Sequence, residues 1–264
     1  MPSILEANMS AENTFIRIIY LIFALISYTI YLFSIILFVF RLLDATQFLD
    51  PFTFEFQIGL KESIFLNIGL IAIFGIPHSV MARPGFKKYC KRIIPLPIER
   101  SFYVFIVSIT LIALSILWQP IHIEIWIIQN SPWKYAIYSI FLIGIILSVV
   151  STFLIDHFEL FGLRQAWNFL IKTESYPSEF STPSLYKLVR HPMMLGMILA
   201  LWSTPLMNLG HLILSIGLTI YIIIGTFFEE RDLIRTFGEK YLNYKRTVPM
   251  LLPLLLLRQK ITKD

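Results

Sequence analysis

The sequence predicts an all-α integral membrane protein. Three observations carry that expectation. Of its 264 residues 56% are hydrophobic, and the mean hydropathy is +0.72. Only 15% are charged, against about 25% in an ordinary soluble domain. The apolar residues also gather into six runs, each close to the roughly 17–25 residues that a helix needs to cross a bilayer.

The runs are Ile18–Phe40, Ser63–Val80, Phe102–Leu117, Lys134–Ile155, Met193–Leu209 and His211–Phe228. Only Gly210 separates the last two, so they are expected to form a hairpin of short helices, for a total of five or six spans. The first run follows acidic Glu6 and Glu12 and lacks a small-residue cleavage site, which favours a retained span over a signal peptide. No Gly/Ser-rich linker divides the chain, so residues 1–264 are expected to form one membrane domain. Its first part is a four-helix bundle over 15–155 and its second part covers 156–264.

Segments 1–17, 81–101, 156–192 and 229–264 hold nineteen of the twenty-two Lys and Arg residues. The positive-inside rule then places both termini and these basic segments in the cytoplasm. The net charge of +5 is accounted for by this distribution, without nucleic acid as a partner. A lone cysteine, Cys90, excludes an internal disulfide and any multi-cysteine metal cluster. No HExxH and no phosphate-binding glycine motif occurs, and no metal is expected.

Ionisable residues are costly at membrane depth, so those near the basic ends of the spans are site candidates. In LVRHPMMLGM, Arg190 and His191 precede Pro192, which suits the first position of a helix. Gly196 leaves room for another backbone or a ligand. In the segment 226–253, Glu229 and Glu230 end an apolar run where basic residues are favoured, so each carboxylate requires a cation or a ligand's amine or hydroxyls. An amphipathic cytoplasmic helix carrying Tyr241 and Tyr244 follows. Asp156 and His157 leave the fourth run together, and Arg164 lies seven residues further, on the same face if the helix continues. His78, beside Pro77, stands inside the membrane end of the second run.

The succession R-H-P, glycine, hairpin, E-E-R-D-L, Y-x-x-Y and P-M-L-L-P over 186–253 resembles the superfamily of isoprenylcysteine carboxyl methyltransferases and phospholipid methyltransferases. HSVMARPGFK at 78–87, PIERSFYV at 97–104, WQP at 118–120 and FLIDHFELFGLRQ at 153–165 resemble its NnrU-like branch. The resemblance implies S-adenosyl-L-methionine as cofactor. Arg190, His191, Pro192 and Gly196 would shape its pocket, Glu229 and Glu230 would meet its polar groups, and Tyr241 and Tyr244 would close over it. It also implies a bacterial inner membrane and a small volatile thiol, methanethiol, as the acceptor that becomes dimethyl sulfide. Met193 and Met194 depart from the aromatic residue that often follows the triplet.

A thiol must lose its proton to become a nucleophile. His157 or His78 is the expected base, with Asp156 orienting the imidazole and Arg164 steadying the thiolate. The alternatives are another thiol, a prenylcysteine carboxylate or a phospholipid amine as acceptor, or a non-enzymatic role in nitrogen-oxide metabolism.

Overall fold

A computed structural model of the chain describes residues 4–49, 51–90, 92–173 and 180–252, the side chains of 4–13, 46 and 47 excepted. The Pro253 that closes the resemblance, and Arg258, Lys260 and Lys263, lie outside the described residues. The first four apolar runs become long helices: α1 (Ile4–Leu42), α3 (Leu60–Met81), α5 (Leu96–Leu117) and α6 (Ser131–Ile155). Without water, only a helix satisfies every backbone group within its own segment, so runs of this length have no other stable form in lipid. Prolines sit at the starts of α5 and α6, where no N–H is required. Short helices α2 (Thr46–Leu49), α4 (Pro84–Cys90), α7 (His157–Leu160) and α8 (Leu163–Leu170) lie in the connections.

The second half departs from the expected hairpin. Helix α9 (Pro192–Trp202) has 11 residues, a length of about 16 Å, and stops well short of Leu209. Thr204 precedes Pro205, and the residue before a proline is forced out of helical conformation. The chain therefore runs extended from Ser203. Strand β2 (Leu206–Asn208) pairs antiparallel with β1 (Glu124–Ile127), and Trp126 Nε1 donates to the Thr204 carbonyl at 3.1 Å. Asn208 then caps α10 (Leu209–Phe237), its side chain accepting from His211 N at 2.8 Å. Among the described residues five helices are long and apolar enough to cross a membrane, and α9 with its extended continuation is not a sixth. Helix α10 runs on past Glu229 and Glu230 until Gly238, at φ +56°, breaks it. Helix α11 (Glu239–Thr247) follows.

The β1–β2 ribbon marks one end of the bundle, where Asn67 and Gln119 close a buried clamp through reciprocal bonds of 2.8 and 2.9 Å. The other, basic end gathers α4, α7, α8, α11 and the approach to α9. Leu70, Leu114, Phe141, Leu201, Leu214 and Leu218 form the core between, while Phe65, Ile76, Trp133 and Tyr135 project outward from the bundle.

The tightest crossing is between α6 and α9. A side-chain carbon at Gly144 would stand 2.6 Å from the Gly196 carbonyl, and one at Gly196 would stand 2.5 Å from the Gly144 carbonyl. Ser148 Oγ adds a bond to the Met193 carbonyl at 3.1 Å. Small residues that let backbones touch are the common device for joining helices where lipid removes the hydrophobic drive. Of the two occupants left open for the space at Gly196, the structure places another backbone there.

A Gly196→Val substitution is expected to cost about 1–3 kcal/mol by overpacking. Thermal unfolding in detergent would show it as a lowered midpoint, whereas Gly69→Val, whose added carbon meets nothing within 4 Å, leaves the midpoint unchanged.

Candidate active site

Position 230 holds the most deeply buried carboxylate among the described residues. Glu230 is 2% exposed, and an unpaired charge there would be prohibitively costly. Arg190, arriving from the connection before α9, meets it through Nε and Nη2, both at 2.6 Å from Oε1. Lys245 of α11 reaches Oε2 at 2.7 Å, and His191 Nε2 stands 3.3 Å from Oε1. The remaining guanidinium nitrogen of Arg190 donates to the carbonyls of Lys245, at 3.1 Å, and Val248. The backbone joins in: Arg190 N donates to the Pro249 carbonyl at 2.9 Å and His191 N to that of Met250 at 3.1 Å. The R-H-P triplet, the double glutamate and the closing P-M segment are thus one polar knot.

Glu229 differs from its neighbour. Successive helical residues point about 100° apart, so when Glu230 faces the knot, Glu229 faces a different wall. Its side chain is 46% exposed, with His191 Nδ1 at 3.8 Å. Outside the spans, its charge helps raise the Tyr186 and Tyr241 hydroxyls. Tyr241 is 2% exposed, and its hydroxyl is buried without a hydrogen-bond partner. Burial and the nearby glutamates push that hydroxyl's pKa up. Tyr244 instead donates to the Tyr186 carbonyl at 2.5 Å, and Phe180 packs edge-on against both Tyr241 and Tyr244. Burial lifts Tyr186 to about 12, and Tyr244 is raised for the same reason.

The two candidate bases are placed very differently. Helix α6 stops at Ile155 because Asp156 takes an extended conformation and caps α7, accepting from Glu159 N at 2.9 Å. Arg164 therefore does not share a continuous helical face with His157. It pairs with Asp156, which does not touch the imidazole. The partners of His157 are Thr152 Oγ1 on Nδ1 and Tyr28 Oη on Nε2, both at 2.7 Å. The only hydroxyl proton of Thr152 is given to the Val149 carbonyl at 2.7 Å. Nδ1 must then carry the proton that Thr152 accepts, and Nε2 accepts from Tyr28. His157 is neutral, with both nitrogens engaged, and burial lowers its pKa against the opposing pull of Asp156.

His78 has no such partners. Its Nδ1 is buried without a hydrogen bond. Its ring lies among Phe74, Tyr103 and Tyr221, at centroid distances of 5.4, 5.7 and 5.8 Å. Tyr103 reaches only the His78 carbonyl, at 3.4 Å. Arg83, paired with Asp232 at 2.8 Å, and Arg100, stacked 4.8 Å over Tyr103, give this region a positive field. The structure thus joins Arg190, His191, Glu229, Glu230, Tyr241 and Tyr244 into one site. Pro192 starts α9 beneath it, while His157, Asp156 and Arg164 form a separate corner. Lys245, Tyr103 and Tyr221 escape sequence reasoning. Tyr221 was legible in principle, since it precedes Glu229 by two helical turns on one face.

Five membrane-length helices closed at one end by a buried, ion-paired polar knot define an integral membrane protein. Its relatives give it a family. The chain is 45% identical over 191 residues to the methanethiol S-methyltransferase of Pseudomonas deceptionensis, covering 72% of this chain and 73% of that one. It is 40% identical over 248 residues to methanethiol S-methyltransferase 2 of Bradyrhizobium diazoefficiens, covering 93% and 94%. The corresponding Mycobacterium tuberculosis protein is 43% identical over 197 residues, covering 74% and 80%. No family model and no solved structure matches. The chain belongs to the methanethiol S-methyltransferase family.

Removing Arg190 (Arg190→Ala) strands a buried carboxylate and is expected to destabilise the fold by about 3–5 kcal/mol. Arg190→Ala combined with Glu230→Gln should recover part of that loss in denaturant titrations. A second expectation concerns pH. Because burial lowers the pKa of His157, the unfolded chain binds its proton below about pH 6.5 while the folded site resists it. Stability is unaffected above that value and falls as pH drops below it. His157→Gln should flatten that part of the melting-temperature profile.

Proposed function

We propose that the chain methylates methanethiol to dimethyl sulfide with S-adenosyl-L-methionine as donor, and that residues 156–252 supply the donor site. The basic end of the bundle, which we take to face the cytoplasm of a bacterial inner membrane, is where the two reactants meet. The observation that carries this reading is the contrast between adjacent carboxylates. Glu230 is neutralised by Arg190 and Lys245, while Glu229 is half-exposed and meets no Lys or Arg among the described residues, with the His191 ring at 3.8 Å.

The residues present suit the donor. An amine or ribose hydroxyl group finds Glu229, and the unpartnered Tyr241 hydroxyl offers a further polar contact. The aromatic rings of Tyr103, Tyr186 and Tyr221 are compatible with a positive sulfonium, since cations are attracted to aromatic faces. When bound, S-adenosyl-L-methionine supplies an electrophilic methyl group that a thiolate takes by in-line displacement, giving dimethyl sulfide and S-adenosylhomocysteine.

The chain's own tasks are to align, to dry and to deprotonate. A fixed geometry removes much of the entropic barrier. The apolar walls around His78 exclude water from the acceptor. Its free imidazole nitrogen takes the thiol proton, and the field of Arg83 and Arg100 favours the resulting anion. His157 is not assigned this role, because both of its nitrogens are already engaged in joining α1 to α6.

Membranes holding the protein should release dimethyl sulfide into the headspace when given methanethiol and S-adenosylmethionine. Loss of a general base typically costs about 10²–10⁴-fold in rate. His78→Ala is expected to fall in that range while still binding S-adenosylhomocysteine, and Glu229→Ala to lose that binding. His157→Gln retains turnover. Full turnover in His78→Ala, with turnover lost in a folded His157→Gln, would reverse the assignment of the base.

A further inference from the structure

The face of α10 that leads to Glu229 holds a gap. Tyr221, Gly225 and Glu229 are spaced four residues apart and so lie on one side of the helix, each about 6 Å beyond the last. A side-chain carbon built at Gly225 meets no atom within 4 Å. The neighbouring glycines of the bundle contrast with it: a carbon at Gly75 would press on the Tyr221 ring at 3.0 Å, and one at Gly217 on Ile71 at 2.6 Å. Gly225 is therefore not a helix-packing glycine.

What faces the gap follows from the register of α3 and α10, which run in the same direction. Ile71 meets Gly217, Gly75 meets Tyr221, Ser79 Oγ reaches Tyr221 Oη at 3.5 Å, and Arg83 pairs with Asp232. Advancing both helices by one turn from the Gly75–Tyr221 contact brings Gly225 to the height of His78 and Ser79. The position over Gly225 is thus level with the unpartnered imidazole and stands one turn beyond Tyr221 and one turn before Glu229 along α10. Phe74, Tyr103 and Tyr221 pack around that same imidazole.

We infer that the space over Gly225 is the acceptor site, sized for a small alkyl thiol, with Tyr221 as its floor and Gly225 as the residue that limits acceptor size. The inference rests on the methyltransferase reading above and specifies its acceptor side. Gly225 and Tyr221 position the acceptor, while His78 is the group that meets its proton. An apolar thiol dissolved in lipid reaches this depth without crossing the charged end. A donor held at Glu229 approaches from the opposite side, so its methyl group and the thiol sulfur face each other across one turn of α10.

The test fills the gap. A leucine side chain is larger than methanethiol, its first carbon meets nothing within 4 Å at position 225 and leucine favours the helix over glycine, so Gly225→Leu should fold. Headspace dimethyl sulfide production is expected to fall at least 100-fold, with S-adenosylhomocysteine affinity by calorimetry within threefold of wild type. Gly69→Leu, at another glycine with open space around it, retains full turnover. Tyr221→Ala lowers the floor and should raise the ratio of kcat/KM for propanethiol over methanethiol about tenfold, the scale on which pockets sense a methylene. Gly225→Leu turnover within twofold of wild type would overturn the inference while leaving the methyltransferase reading intact. Loss of S-adenosylhomocysteine binding in Gly225→Leu would overturn it too, by moving Gly225 into the donor pocket. A wild-type protein that makes no dimethyl sulfide would remove both.

Discussion

The carboxylate of Glu230 organises everything at the basic end. A charge at that depth is tolerated only when surrounded by opposite charge and donors, and the chain brings Arg190 and His191 to it from the approach to α9 and Lys245 from α11. Meeting that requirement places the start of α9, the whole of α11 and the segment 249–250 relative to α10. It also determines what Glu229 can do. With its neighbour consumed by the knot, Glu229 is left half-exposed beside the His191 ring. On the proposed reading, one buried acid thereby leaves the next one available for a ligand.

Much of this was legible in the sequence, for identifiable reasons. The first four spans could be read because apolar length has one meaning in lipid. Arg190, His191, Glu229, Glu230, Tyr241 and Tyr244 could be read as one site because each is a polar group in a costly position. The hairpin was not, because hydropathy is blind to the difference between an apolar helix and an apolar strand. Thr204-Pro205 carried the signal, and the run continued through it. The partnership of Asp156 with Arg164 depended on a helix break that no composition reveals, and Tyr28 is 129 residues from His157 in sequence. Lys245 stood among several cations of α11, and only the fold selects it.

Hydrogen-bond saturation separates the histidines better than location or motif. His157 sits beside an acid and an arginine, the setting in which a catalytic imidazole is expected, yet its tautomer is dictated by Thr152 and its remaining lone pair is taken by Tyr28. An imidazole so engaged has no vacancy for a substrate proton without breaking a contact that ties α1 to the rest. His78 has no flanking acid, and its Nδ1 is buried without a hydrogen bond. The group that chemistry can use is the one that folding left unsatisfied.

The same reasoning applies to α10 as a whole. On the proposed reading, the two reactants have incompatible solvation: one is charged and arrives from water, the other is apolar and partitions into lipid. A site at either extreme would exclude one of them. Helix α10 resolves this by carrying a carboxylate where the bundle opens, an aromatic ring two turns deeper, and between them a glycine whose missing side chain nothing else occupies. Position 225 is not held by contact with another backbone. Close approach by Gly144 and Gly196 shows what a packing glycine looks like in this protein, with backbone oxygen within 2.6 Å of any added carbon. Gly225 is its opposite, and the register of α3 and α10 sets it level with the imidazole of His78, whose Nδ1 the fold leaves unbonded.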